Sequence, residues 1–179
     1  MAAAHGLEVA RHAVGFKVLG AELAVGRADL ASDESGGFAF RPFGFDKDGI
    51  AAAALLARAL AGRGESLRER VAGLERVHGR LRSGRSEADA DATALAGLER
   101  LARTPPSRIG GARVSGTSTR DGVRLSFDDG FVMWRRSGTE PRVRIYAEAL
   151  GERALEARLA AALRLLRRAG RVGPAKGIR

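Results

Sequence analysis

The feature that most constrains the fold of this chain is a period-two alternation of apolar and polar residues in its second half. It is clearest at residues 123–127 and 143–149, and a third apolar run lies between them at 131–134. Such alternation is typical of β-strands with one buried face. The Asp-Asp-Gly sequence at 128–130 is typical of a hairpin turn. The pattern therefore predicts an antiparallel sheet.

Helices are predicted on both sides of these strands. Ser86 is a candidate N-cap for a helix over residues 87–102. Residues 152–169 place four leucines on one helical face, and Gly170 is a typical helix end. Strands flanked by helices in this order predict a small α+β domain over residues 87–170, with helices packed on the sheet.

The first 78 residues are predicted to be mainly helical. Helices are expected at about 15–24, 46–61 and 66–77, and only residues 7–10 and 38–41 have the pattern of short strands. So little sheet predicts a partial α/β domain.

Two segments are predicted to lie outside these domains. Residues 79–86 are polar and contain glycine, which is typical of a linker. Residues 171–179 contain glycine and proline and are expected to be a frayed tail.

Composition excludes several classes of site. The chain has no cysteine, so disulfides, zinc–thiolate sites and thiol nucleophiles are excluded, and its three histidines are scattered. No apolar run approaches the roughly 20 residues of a membrane span. The first seven residues lack a signal-peptide pattern. A cytoplasmic protein without membrane contact is the expectation.

The net charge of +10 rests almost entirely on arginine, because only three of the 31 basic residues are lysines. A basic chain is a candidate for nucleic-acid binding, but aromatic residues make up 5% of it and are not interleaved with the arginines. The arginines of the last predicted helix are interpreted as a solvated face: Arg153, Arg158, Arg164, Arg167 and Arg168. Nucleic-acid binding is therefore disfavoured.

The loop at 135–141 has the residue types of an anion site. Arg135 offers two parallel donors that match phosphate oxygens. Ser137 and Thr139 offer hydroxyl groups, and Gly138 allows neighbouring backbone amides to point into one concavity. The alternative is a polar loop that only joins two strands.

Residues 135–148 (Arg-Arg-Ser-Gly-Thr-Glu-Pro-Arg-Val-Arg-Ile-Tyr-Ala-Glu) resemble the phosphate-binding signature of the α-D-phosphohexomutases, the phosphoglucomutase and phosphomannomutase family. The family has proline where this chain has Arg136. The resemblance implies that the phosphate that is not being transferred is held by Arg135, Ser137, Gly138 and Thr139. Arg144 lies on the face opposite Ile145 and is a candidate for the same site, or is an ordinary strand arginine.

A second segment, residues 33–37 (Asp-Glu-Ser-Gly-Gly), resembles the sugar-recognition loop of that family, Gly-Glu-Glu-Ser-Gly-Gly. The resemblance implies that Asp33 and Ser35 bind sugar hydroxyls. The chain has Ser32 for the glycine of the family and the shorter Asp33 for its glutamate, which alters the reach of the carboxylate. Without the surrounding match, this run would be interpreted as a turn.

Two further segments follow in family order. Residues 14–17 resemble the segment before the sugar loop, which makes Lys17 a candidate phosphate ligand, the alternative being an exposed helix lysine. Residues 47–49 resemble the start of the following helix, where Asp48 is interpreted as an N-terminal charge. The resemblance covers about residues 6–166, the latter part of the third domain (1–78) and the full fourth domain (87–170).

The catalytic loops of the family are not found in this sequence. The family uses a phosphoserine in a Ser-His-Asn-Pro loop and a magnesium loop of alternating aspartates followed by arginine, and the chain has no Ser-His pair. Glu87, Asp89 and Asp91 have similar spacing but lie at a predicted helix start, where acidic residues are favourable. No catalytic or metal-binding residue is predicted, and Mg²⁺ is expected only for the full-length family enzyme.

The predicted function is that of the C-terminal portion of a phosphoglucomutase/phosphomannomutase-like enzyme. The reaction implied is phosphoryl transfer between C1 and C6 of a hexose phosphate, such as glucose 1-phosphate, glucose 6-phosphate or a mannose analogue. The chain alone is predicted to be inactive and to need a separate N-terminal catalytic half. The alternatives are a non-catalytic phosphosugar-binding or interaction module and, less favoured, a basic nucleic-acid-binding protein.

Overall fold

The computed structural model describes residues 2–33, 35–137, 140–174 and 176–178. It divides into two compact units, Met1–Val77 and His78–Arg179. The mixed α/β architecture predicted from the sequence is confirmed, including an antiparallel sheet in the second half.

The first unit is built mainly from helices. Its elements are a 3-10 helix at Ala2–His5, α1 (Phe16–Ala24), β1 (Leu30–Ser32), β2 (Phe38–Phe40), a 3-10 turn at Arg41–Phe43, α2 (Gly49–Ala61) and α3 (Leu67–His78). β1 and β2 form an antiparallel pair in which Ala31 lies opposite Ala39. The predicted strand at 7–10 is wrong, because Leu7 and Val9 are exposed and residues 7–10 have no regular structure.

Side-chain caps fix where two of these helices begin. The carboxylate of Asp48 accepts from the backbone amides of Ile50 and Ala51 at 3.0 and 2.9 Å, which starts α2. Ser66 and Glu69 exchange hydrogen bonds before α3, with Ser66 N donating to Glu69 Oε2 at 2.8 Å. Both caps satisfy amides that a helix leaves unpaired. The predicted capping box is confirmed.

The core of the first unit is small. Leu23, Ala31 and Ala39 are buried, and residues of α1 and the following turn pack partly against them. One face of the β1–β2 hairpin therefore packs on α1.

The second unit is organised around a sheet of six strands among its described residues. Its elements are β3 (Leu81–Asp89), α4 (Ala92–Arg103), β4 (Arg108–Ile109), β5 (Ala112–Arg113), β6 (Gly116–Ser118), β7 (Val123–Phe127), β8 (Gly130–Arg136), β9 (Arg142–Leu150), α5 (Glu152–Ala169) and β10 (Lys176–Ile178). The strand order is β10-β3-β9-β8-β7-β6, with every neighbouring pair antiparallel. β4 and β5 form a separate hairpin.

The predicted linker at 79–86 is wrong from residue 81 onward. Residues 81–86 belong to β3, which pairs with β9 along its whole length. Gly84 does not mark flexibility but a close approach, since a Cβ there would lie 3.0 Å from a methyl carbon of Leu159 on α5. This strand was not predicted because its mixture of arginine, serine and glycine shows no apolar–polar alternation.

Two neighbouring predictions also change. The helix predicted over 87–102 begins at Ala92, where the Asp91 carboxylate accepts from Ala94 N at 2.8 Å, so Ser86 is not its cap. The tail at 171–179 is not frayed throughout, because residues 176–178 pair with β3. Both changes follow from β3, which includes Ser86 and residues 87–89 and pairs with residues 176–178.

The core of the second unit lies between the sheet and the two helices. Trp134 and Ile145 are fully buried, and the indole Nε1 of Trp134 donates to the Ala162 carbonyl of α5 at 3.2 Å. α4 and α5 approach closely at Gly97, where a Cβ would lie 2.1 Å from the Ala169 methyl carbon. One face of β7, β8 and β9 is thus covered by helices.

Arg158 corrects the interpretation of the last helix as a uniformly solvated basic face. Its side chain is buried, and its guanidinium donates to Asp129 at 2.5 Å and to the Glu148 carbonyl at 2.6 Å. The same group lies 4.5 Å from the ring centroid of Phe127. Arg158 lies three residues after Leu155, within the buried stripe of α5, so it fixes the β7–β8 turn to this helix.

No helix among the described residues is both long and apolar enough to cross a membrane.

Candidate functional site

The sheet of the second unit brings two predicted phosphate ligands together. Arg135 on β8 lies directly opposite Arg144 on β9, so both side chains project from the sheet face that the helices leave uncovered. The Nε of Arg135 lies 3.5 Å from an Asp121 oxygen, and that of Arg144 lies 3.9 Å from a Glu87 oxygen. Like charges directly opposite each other destabilise a sheet. An anion bound between the two guanidinium groups would remove this repulsion.

The loop after β8 begins beside this pair. Ser137 is buried, and its backbone amide donates to the Arg142 carbonyl at 2.8 Å, which closes the base of the loop. The predicted ligands Gly138 and Thr139 lie outside the described residues. The structure therefore brings together Arg135, Ser137 and Arg144 at one end of the β8–β9 hairpin.

Arg142 anchors the other end of the loop and was not singled out from the sequence. Its guanidinium donates to Asp89 at 3.0 Å and to Glu87 at 3.1 Å. The hydrogen bond to Asp89 and the charge of Glu140 raise the pKa of Arg142 above its ordinary value. Its place opposite Asp89 in the β3–β9 pairing could be found only once β3 was known to be a strand.

The acidic residues with magnesium-loop spacing have other partners. Glu87 and Asp89 bind Arg142, and Asp91 caps α4. Within the described ranges, no group of three or more His, Cys, Asp or Glu side chains is arranged to hold a metal ion. These carboxylates do not fit Mg²⁺, because each is already held by an arginine or a helix end.

The sugar-loop candidates of the first unit form a compact polar cluster. Oδ1 of Asp33 accepts from the Ser35 hydroxyl at 2.6 Å and from the amides of Ser35 and Gly37 at 3.1 Å each. Its Oδ2 pairs with Lys47 Nζ at 3.2 Å. The Ser35 hydroxyl, helped by the Gly37 amide and Lys47, lowers the pKa of Asp33 to about 2. Asp33 thus braces the loop, and the neighbouring Glu34 lies outside the described residues.

Lys47 is the contact that sequence reasoning missed in this cluster. The sequence indicated only that residues 47–49 begin a helix, whereas the ammonium group lies beside Asp33 and 5.3 Å from the Phe16 ring centroid. Gly37 leaves room for it, because a Cβ there would lie 2.1 Å from the Lys47 side chain. Lys17 lies in the first turn of α1 with an exposed side chain, on the helix that also contributes Phe16.

Comparisons with known proteins give one family for both units. The model of phosphoglucomutase/phosphomannomutase alpha/beta/alpha domain III matches residues 1–77, and the model of the C-terminal domain of the same family matches residues 85–166. Among curated relatives, the phosphoglucomutase/phosphomannomutase of Thermococcus kodakarensis is 29% identical over 165 residues, which are 92% of this chain and 34% of that protein. A "probable phosphoglucosamine mutase" of Methanocella arvoryzae is 32% identical over 151 residues, 84% of this chain and 32% of that protein.

Solved structures agree with the sequence matches. A crystal structure described as a proposed phosphomannomutase from Thermus thermophilus superposes with a TM-score of 0.70 and 28% identity, covering 90% of this chain and 32% of that one. A phosphoglucomutase/phosphomannomutase family protein from Burkholderia thailandensis gives a TM-score of 0.63 and 26% identity, covering 87% and 31%. The chain spans about a third of the length of the relatives it matches.

Proposed function

Because the chain belongs to the phosphoglucomutase/phosphomannomutase family, we propose that it is the phosphate- and sugar-binding C-terminal portion of a phosphohexomutase. The proposed reaction moves a phosphoryl group between C1 and C6 of a hexose phosphate such as glucose 1-phosphate or its mannose analogue. The observation that supports this most directly is Arg135 facing Arg144 beside Ser137. In this proposal residues 1–78 are part of the third domain and the sheet-containing unit is the fourth.

Arg135 and Arg144 bind the phosphate that is not being transferred. A phosphate dianion between them accepts charge-assisted hydrogen bonds from two guanidinium forks. Ser137, with Gly138 and Thr139, lines the same end of the hairpin in this proposal. The role of these groups is to position the substrate and to stabilise its charge.

In this proposal the Asp33 carboxylate does not bind the sugar hydroxyls directly. Oδ1 of Asp33 accepts hydrogen bonds within the loop and Oδ2 accepts one from Lys47, so in this proposal Asp33 fixes the shape of the loop and Ser35 and Lys47 are the groups that bind the sugar phosphate. A hydroxyl that binds Asp33 has to compete with Lys47 for Oδ2. Lys17 is retained as a further phosphate ligand on α1.

The reaction also needs groups that this chain does not supply in the proposal. The sequence has no Ser-His pair, so the phosphoserine loop is assigned to the portion of the family enzyme that lies outside this sequence. Mg²⁺, when bound, would stabilise the transferred phosphoryl group, and that same portion would hold it. The chain alone is expected to be inactive, and the complete enzyme to be cytoplasmic.

A non-catalytic phosphosugar-binding module is the second candidate. The closed hydrogen bonding of Asp33 favours it, because a carboxylate held by its own loop is less available to substrate hydroxyls. Nucleic-acid binding has no comparable observation in its favour and is not proposed.

Calorimetric titration of glucose 1,6-bisphosphate tests the phosphate site. We expect saturable binding that weakens at least tenfold in Arg135→Ala and in Arg144→Ala, since a charge-assisted hydrogen bond contributes about 1.5–3 kcal/mol. Arg164→Ala, which removes an exposed arginine of α5, is the matched control and should bind normally. No binding at millimolar ligand, or equal loss in the control, would contradict the proposed function.

A further inference from the structure

Each arginine of the candidate phosphate site has a carboxylate on its outer side. Arg135 lies beside Asp121, in the turn before β7, and Arg144 lies beside Glu87, its partner in the β3–β9 pairing. The two carboxylates therefore flank the arginine pair from opposite sides of the β8–β9 hairpin. Both contacts are made through Nε. Because a guanidinium is planar and rigid, a contact at Nε fixes the direction in which its terminal nitrogens point.

Glu87 is held by a second arginine, so its position does not depend on Arg144. Its Oε1 accepts a hydrogen bond from Arg142 at 3.1 Å, while its Oε2 lies 3.9 Å from the Nε of Arg144. Arg142 is bound in turn by Asp89, two residues further along β3. A carboxylate that is held by a strand and by a second arginine has little freedom to follow movements of Arg144.

Asp121 lies in a turn that packs directly on β8. The next residue, Gly122, has a φ of 113°, and a Cβ there would lie 2.3 Å from the carbonyl oxygen of Trp134. Only glycine allows so close an approach with this backbone conformation. Trp134 is fully buried and directly precedes Arg135. The turn therefore keeps Asp121 close to Arg135.

Burial distinguishes these two contacts from ordinary surface ion pairs. Only 14% of the Glu87 side chain and 25% of the Asp121 side chain are exposed. Partly buried charges are screened less by salt than exposed ones. The distances of 3.5 and 3.9 Å are nevertheless longer than those of good hydrogen bonds. The carboxylates thus orient the two guanidinium groups and leave them able to close on a ligand.

We infer that Glu87 and Asp121 are positioning residues of the phosphate site, each orienting one arginine so that a phosphate fits between the pair. This rests on the proposed function. Donors that are oriented before the ligand arrives lose less side-chain freedom on binding. A carboxylate that only repelled the anion would have the opposite effect. Removing the carboxylate weakens phosphate binding if it orients an arginine and strengthens binding if it only repels.

NMR relaxation of the arginine Nε–H groups in the ligand-free chain tests the orienting contacts. Glu87→Gln and Asp121→Asn remove one charge each and keep the shape of the side chain. Glu156→Gln makes the same change at an exposed position of α5 and is the control. We expect Glu87→Gln to increase the motion of Arg144 and not of Arg135, and Asp121→Asn to do the reverse. The control should change neither.

Calorimetric titration of glucose 1,6-bisphosphate tests the effect on binding. Each test variant should bind about two- to tenfold more weakly than the wild type, which is the effect expected when one side chain has to be ordered on binding. The control should bind normally, and the Trp134 fluorescence transition verifies that each variant is folded.

Two results would overturn the inference: equal or tighter binding by the test variants, or unchanged motion of both arginines. No binding by the wild type would remove the proposed function and this inference with it. Binding that depends on Arg135 and is not weakened in Glu87→Gln and Asp121→Asn would remove this inference alone.

Discussion

Both units of this chain contain helices and strands, but only the second encloses a large core. Among the described residues, the core cluster of the first unit has three buried members and that of the second has 17. Of the 16 large apolar side chains that are exposed in the described part of the chain, 14 lie in the first unit and only Leu81 and Leu150 lie in the second. Helix caps and local patterns are present in both. The difference shows that burial depends on the six-stranded sheet, which gives two helices a common surface to cover.

Hydrogen exchange of the full chain should show the largest difference between the units. Backbone amides of β8 and β9 are expected to exchange on the order of a thousandfold more slowly than those of α2, because a well-packed domain opens with about 5 kcal/mol or more. Mass spectrometry of peptides from each unit measures this. Equal protection of α2 and β9 would contradict the expectation that the second unit is the more stable one.

A matched pair of core truncations tests whether the two units differ in stability. Leu23 and Leu125 are both fully buried, one in each unit, and Trp134 is the only tryptophan and reports on the second unit. Leu125→Ala should lower the free energy of unfolding by about 2–5 kcal/mol. Leu23→Ala should leave the Trp134 fluorescence transition in place. A shift of that transition in both variants would show that the units unfold together.

Arg158→Met tests how much one buried ion pair contributes to the second unit. Removing the guanidinium leaves the Asp129 carboxylate and the Glu148 carbonyl without this donor, with an expected loss of about 3 kcal/mol in unfolding free energy. Arg164→Met on the exposed face of the same helix should cost less than about 0.5 kcal/mol. Urea unfolding followed by fluorescence compares the two, and similar midpoints would contradict the role assigned to Arg158.

The smallest expected effect concerns the acid titration of the loop in the first unit. The folded pKa of Asp33, about 2, lies below its ordinary value of 3.8, so its stabilising contribution is present above pH 3.8 and is lost as the pH falls toward 2. Ser35→Ala should raise the pKa of Asp33, and Lys47→Met should raise it less, because the Ser35 hydroxyl is the larger cause. Carboxyl carbon NMR measures both, and the reverse order would contradict the assigned hydrogen bonds.

Sequence reasoning was most successful where one local signal decides an element. The alternation at 143–149, the turn before Gly130 and the Ser66–Glu69 cap each predicted a feature that the structure contains. The charged and hydrogen-bonding residues of the loop likewise indicated an anion site at the end of β8, whose ligand roles stay predictions. In each case neighbours in the chain carry enough information to fix the local geometry.

The errors arose where a distant partner decides the structure. β3 is a strand because β9 pairs with it 50 or more residues away, although its own residues are typical of a linker. Arg158 is buried because Asp129 and Glu148 receive its hydrogen bonds, and Lys47 reaches Asp33 across 14 positions of the chain. None of these contacts leaves a periodic trace in the sequence.

The cross-strand arginine pair of the second unit has a consequence for how such a chain evolves. Arg135 opposite Arg144 is a like-charge pair, which destabilises a sheet, and this cost is partly offset by Glu87, which lies opposite Arg144 on β3, and by Asp121, which lies 3.5 Å from Arg135. Selection for thermal robustness alone would therefore favour replacing Arg144 by threonine or another neutral strand former. A lineage that retains both arginines keeps this like-charge contact in its sheet, and one that has ceased to need the anion is free to lose it.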